Sequence, residues 1–156
     1  MNEKTVCEAI LYAYKDLERM GEAVEEQAMR CAIGSRNRDI FECADELTRL
    51  TNEKIAYCNA KVIIDKAIKQ MSRCDEIKAF HIQGLQCKDI AEQGNVTIDT
   101  VLKRLSRQRQ RLYQIIIGSN KAEDLRQIIR DSKWLTGRHK AILKAQSKEA
   151  KANGKD

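Results

Sequence analysis

From Val6 to Cys31 the apolar positions Val6, Ile10, Ala13, Leu17, Met20, Val24 and Cys31 follow one another in steps of four and three, interrupted only at Gln27. A repeat of about 3.5 residues held this long commits the stretch from Glu3 to Ile33 to one helix whose seam needs a partner. Gly21 is a local weak point in it, costing about 1 kcal/mol against alanine. GSRNR, residues 34 to 38, then reads as a turn, with Gly34 past the helix end and Asn37 capping the next helix. That second long helix, roughly Asp39 to Ser72, carries Ile40, Ala44, Leu47, Thr51, Ile55, Cys58 and Val62, then Ile64, Ile68 and Met71. The link is short, so the two seams are expected to face each other in an antiparallel hairpin. Pairing with a second copy through these N-terminal helices is the other reading; the apolar surplus at Val62 to Ile64 is expected to pack on the segment that follows at residues 75–117 or on that second copy.

Composition extends the helical reading to the whole chain. None of the 156 residues is proline, aromatics make up 4%, and no run of eighteen apolar residues occurs. An all-α fold is expected, with neither a membrane span nor a secretory leader, and a cytoplasmic location. The six cysteines, Cys7, Cys31, Cys43, Cys58, Cys74 and Cys87, include no CxxC pair, and His81 and His139 stand far apart. They read as small hydrophobes on helix-facing positions, with no metal or other cofactor. Net charge is +6, but residues 1–74 sum to −1 and residues 75–156 to +7. The basic half is therefore the candidate nucleic-acid half.

Within that half, residues 75–117 have the outline of a helix-turn-helix. One short segment ends at Gly84, a second carries Ile90 and Ala91, and Gly94 and Asn95 supply residue types that close a helix in the left-handed conformation. Thr97 is placed to cap the next helix. There Val101, Leu105 and Leu112 are expected to face Ile77, Ile90 and Ala91. The same helix carries Lys103, Arg104, Arg107, Arg109 and Arg111, and no acid occurs between Thr100 and Gly118. So dense a row of cations suits a polyanion, since each neutralised phosphate releases condensed counterions.

The stretch GLQCKDIAEQGNVTIDTVLKRLSRQRQRL, Gly84 to Leu112, resembles the helix-turn-helix of region four of bacterial sigma factors. Ile90-Ala91 matches the buried pair of that family, Asn95 stands where it usually has glycine, and Thr97 stands on its serine cap. Thr100-Val101, Arg104-Leu105 and Arg107 follow in register. Together with the long hairpin ahead of it, the layout also resembles phage late-transcription regulators of the ArpU and RinA kind, with Tyr14-Lys15-Asp16-Leu17-Glu18-Arg19 in the place of their first-helix pattern. The likeness implies a sequence-specific DNA-binding transcription regulator, phage or mobile-element encoded. Its partners would be double-stranded DNA and, as for region four, RNA polymerase. Carried over by register, Ile98, Asp99, Thr100, Leu102, Lys103 and Arg107 enter the major groove, and Arg104 and Arg111 add cations. Lys88 and Thr97 meet the phosphate backbone, as Gln86 is also placed to do. Ile98 and Leu102 depart from the family, which is usually polar there. They suit thymine methyl groups, an extended core, or a protein contact.

Past Gly118, Asn120 and Glu123 have capping-box spacing for a helix through Leu125, Ile128, Ile129 and Leu135, anchored by Trp134. After Gly137 a short helix fraying into a basic tail is expected. The chain thus divides into a hairpin (1–74), a helix-turn-helix (75–118) and C-terminal helices (119–156). No catalytic constellation is present, so a non-enzyme is expected. Two alternatives to the regulator stay open: a helical protein–protein adaptor whose helix-turn-helix is structural, and a DNA-packaging protein of small-terminase type.

Overall fold

A computed structural model describes residues 2–34 and 39–154, and among them every regular element is helical. In order these are α1 (Glu3–Ile33), α2 (Ile40–Lys69), α3 (Asp75–Ile77, running on as a π-helical turn over Lys78–Ile82), α4 (Cys87–Gly94), α5 (Ile98–Gly118), α6 (Ala122–Arg130) and α7 (Lys133–Asn153). Among the described residues no helix is long and apolar enough to cross a membrane.

α1 organises the rest. Asn2 starts it by accepting hydrogen bonds at its side-chain oxygen from the amides of Lys4 and Thr5. Its first three turns are buried over most of their surface, through Thr5, Val6, Cys7, Ala9, Ile10, Leu11 and Ala13, with Lys4 left exposed. The last two-thirds bury only the stripe Leu17, Gly21, Val24 and Cys31. The difference reflects the surroundings: from Glu3 to Asp16 α1 meets α6, α7 and the π-helical turn, whereas Glu18 and Glu25 farther along pair with α2. One hydrophobic core therefore runs from α1 through Ile77, Leu105 and Leu112 to Leu125 and Leu135. Burial also pushes the Cys7 thiol up to about 12, with the nearby Glu3 carboxylate adding to it.

The hairpin is antiparallel. Glu25 pairs with Lys54 at 2.6 Å and Glu18 with Lys61 at 4.0 Å, seven residues back along α1 for seven forward along α2, and Tyr14 donates to Asp65 in the next step. Ile64, Ile68 and Met71 are buried as expected, but over the earlier turns of α2 the face turned inward is not the one expected. Cys43, Leu50, Tyr57 and Ile64, at intervals of seven, are buried with Ala56, Ala60 and Ala67, while Ile40, Ala44, Thr51, Ile55, Cys58 and Val62 are exposed and Leu47 is half-buried. α2 has two apolar stripes, and periodicity cannot rank them. The inner one wins because its alanines let the helices approach closely. Tyr57 also reaches a buried partner, the Ser132 hydroxyl at 2.7 Å.

Helix ends account for further differences. The expected capping by Asn37 lies outside the described residues; Asp39 caps α2, accepting from the Phe41 amide. Asn120 does not open a capping box. It sits at φ 57° and closes α5, its neighbour Lys121 donating its amide back to the Ile116 carbonyl, so Lys121 precedes α6 without giving it a side-chain cap. The expected single helix through Leu135 is two, because Ser132 caps a new one by accepting from the Leu135 amide. Gly137 lies inside α7, which continues to Asn153. Its docking on α1 explains that length: Arg138 donates to the Tyr12 carbonyl and to Asp16, and Gln146 to Glu8. Trp134 packs edge-on to Tyr57 and under the Arg138 guanidinium. Cys7, Cys31 and Cys43 are buried, but Cys58 is exposed on the outer stripe of α2.

Candidate nucleic-acid interface

α3, α4 and α5 form the helix-turn-helix, and local chemistry sets its bend. Asn95 adopts φ 52°, ψ 45° and ends α4, with the Val96 amide returned to the Ala91 carbonyl. Gly94 remains helical, so asparagine alone carries the left-handed step. Two residues on, the Thr97 hydroxyl accepts from the Thr100 amide and pairs with the Thr100 hydroxyl at 2.9 Å. Gly84, at φ 75°, ends the preceding turn. Ala91, Val101, Leu105 and Leu112 are buried, and Ile90 is half-buried against them.

The cations of α5 divide into two groups. Arg109 serves the interior: its Nε donates to His81 Nε2 at 3.0 Å, and the guanidinium lies 5.2 Å from the ring centres of both Tyr12 and Phe80. Arg104 pairs with Glu76 at 3.1 Å and ties α5 to α3. Lys103, Arg107 and Arg111 are exposed, and Lys103 meets only the equally exposed Asp99 one turn before it, at 3.1 Å. An exposed pair of this kind is worth about 0.5 kcal/mol or less, so Lys103 is free to exchange its partner for a phosphate. Lys103 and Arg107, four residues apart, share the outward face with Ser106 and Gln110.

The remaining positions lie around this face. Lys88 and Thr97 are exposed at the α4–α5 bend, beside Ile98. Thr100 is half-buried, its hydroxyl occupied by the cap. Ile98 and Leu102 are each about half exposed, at 49% and 50%, and so do not extend the core. Gln86 begins α4 with no side-chain cap bond.

Two residues support the interface from behind, and only His81, expected as a packed or surface histidine beside Phe80, was legible in the sequence. Gln108 is buried, its Oε1 accepting from the Ile77 amide at 2.9 Å and its Nε2 donating to Glu76 at 2.6 Å. Despite some desolvation, these bonds and Arg104 keep the Glu76 carboxyl below its usual range. The signal was its place in the row Val101, Leu105, Gln108, Leu112, where the spacing calls for an inward residue. His81, buried in the π-helical turn and edge-on to Tyr12 at 4.8 Å, is the other. Burial first, then the cations Arg109 and Lys15, push its pKa down to about 3, so it is neutral and accepts at Nε2. Gln108 and His81 together lock α5 to α3 and α1, which leaves the outward face rigidly mounted.

Comparison with protein-family models, curated proteins and solved structures returns no match to this chain.

Proposed function

We propose that the chain is a sequence-specific regulator of transcription that reads double-stranded DNA with the N-terminal half of α5. The observation that carries this is the exposed row Lys103, Arg107 and Arg111 on a helix that starts at a capped, left-handed bend and is held from behind by buried polar contacts. A rigid helix with its first turns projecting is the geometry in which a recognition helix meets base edges. Lys103 and Arg107 donate to guanine or phosphate, Asp99 accepts from cytosine, and Lys88 and Thr97 position the module on the backbone. The likeness to sigma region four and to phage late regulators extends the proposal to RNA polymerase as a second partner and to a phage or mobile-element origin.

The test is a binding titration on sites selected from random duplexes. Lys103→Ala and Arg107→Ala are each expected to weaken binding at such a site by about 1–3 kcal/mol where they touch bases, with folding unchanged. Arg109→Ala is expected to lower stability instead. Unaltered affinity in the Lys103/Arg107 double alanine defeats the reading. Half-exposed Ile98 and Leu102 favour a second one, in which this face grips a protein; its mark is a tight protein complex without salt-sensitive DNA binding.

A further inference from the structure

The outer stripe of α2 combines exposure with an internal regularity. Ile40, Ala44 and Leu47 are succeeded at the same spacing by Thr51, Ile55 and Cys58, and then Val62. The period is eleven residues, close enough to the natural turn of an α-helix for the stripe to run straight along about 33 Å of it. The same seven positions are also symmetric about Thr51. Leu47 and Ile55 lie four residues to either side, Ala44 and Cys58 seven, Ile40 and Val62 eleven.

We infer that α2 is the two-fold interface of a homodimer, in which the α2 helices of two copies pack antiparallel and cross at Thr51. In an isologous contact, residue i meets j where j meets i. Crossing at Thr51 brings Leu47 onto Ile55, Ala44 onto Cys58 and Ile40 onto Val62 of the second copy, large on large and small on small. No stripe position carries a charge. The charged residues in the middle of α2 are drawn away from it: Lys54 and Lys61 to Glu25 and Glu18 of α1, Asp65 to Tyr14, and Arg49 to Glu53. Thr48, beside the stripe, turns its hydroxyl back to the Ala44 carbonyl at 2.9 Å.

A second feature fits the same pairing. A groove of about 610 Å³ opens along one flank of α2, lined by Ile55, Val62 and Ile63 and walled by Ile115 and Ile128. Phe41 projects from that flank 76% exposed. A two-fold axis perpendicular to both helices keeps each flank on its own side. It sets Phe41 level with Lys61 and Val62 of the second copy, at the mouth of this groove. The groove also carries Lys66, Lys121, Asp124 and Asp131, so it offers an apolar strip with a charged rim, and an exposed aromatic opposite such a strip is the usual anchor of an interface. The inference does not depend on DNA binding, and its test contains no DNA.

Sedimentation of the full chain at about 100 μM, well above a micromolar dissociation constant, is expected to give twice the 17.9 kDa chain mass. Ile55→Glu/Val62→Glu and, separately, Phe41→Ser are expected to sediment as single chains with unchanged helix content. Ala44→Cys treated with a short bismaleimide is expected to link residue 44 of one copy to the native Cys58 of the other. A wild-type mass other than two chains overturns the inference. So do links joining only 44 to 44 and 58 to 58, which report parallel helices, and so does a Phe41→Ser protein that stays fully dimeric.

Discussion

Lowering the pH should destabilise this protein through His81 well before its carboxylates matter. The imidazole is 3% exposed, accepts from Arg109 at Nε2, and faces Lys15 from α1, so a second proton would place a cation among cations. Its folded-state pKa of about 3 lies below the ordinary 6.5 of the unfolded chain. The unfolded state therefore takes the proton first: stability is complete above the ordinary value and falls as pH drops through it toward the folded one. The slope approaches about 1.4 kcal/mol per pH unit, so about 2 kcal/mol is lost by a pH of about 5. Urea denaturation followed by far-ultraviolet circular dichroism, at pH about 7.5 and about 5, reads this directly. His139, hydrogen-bonded to Thr5, is pushed down by burial in the same direction and adds to the loss. His81→Gln keeps an acceptor for Arg109 and removes the titration. It should retain only the His139 share, and the double glutamine variant should be flat. Glu76 and Glu123, both held below their usual range, lose their partners only at lower pH. Equal losses in wild type and His81→Gln would refute the reasoning.

The mounting of α5 leads to two further outcomes. Gln108→Leu strands the Ile77 amide and removes a donor from Glu76, and a destabilisation of about 1–3 kcal/mol is expected as a lower urea midpoint. Asn95→Gly should leave the melting temperature within a degree or two, whereas Asn95→Val, forced into the left-handed region, should cost about 1–2 kcal/mol; equal melting temperatures for the pair would contradict the assigned bend.

The parts of the fold legible in the sequence are those decided by a few neighbouring atoms. Asn95 and Thr97 could be assigned because a left-handed step and a hydroxyl cap are properties of the residues themselves, and the buried row Val101, Leu105 and Leu112 because three contacts on one face agree. Where two choices are locally equivalent, the sequence is silent. α2 satisfies helical periodicity twice, and the balance is tipped by features no local window contains: the close approach to α1 that Ala56, Ala60 and Ala67 allow, and the position of Ser132, 75 residues from Tyr57. Asn120 is as good at ending a helix as at beginning one, and the requirement to close α5 claims it. Charge misleads for a related reason. Arg109 has the same side chain as Arg107, and the difference between them is the pair of rings, Tyr12 and Phe80, that the fold carries to one and not the other.

The burial of Thr5 against His139 spans 134 positions of chain. Because the start of α1 is enclosed partly by α6 and α7, which are synthesised well after it, its opening turns leave the ribosome before all of their cover exists. That end of α1 is fully enclosed only once α6 and α7 have followed α2 and α5. Truncation behind α5 is therefore expected to yield an insoluble product rather than a free-standing DNA reader, although every residue of the candidate interface would still be present.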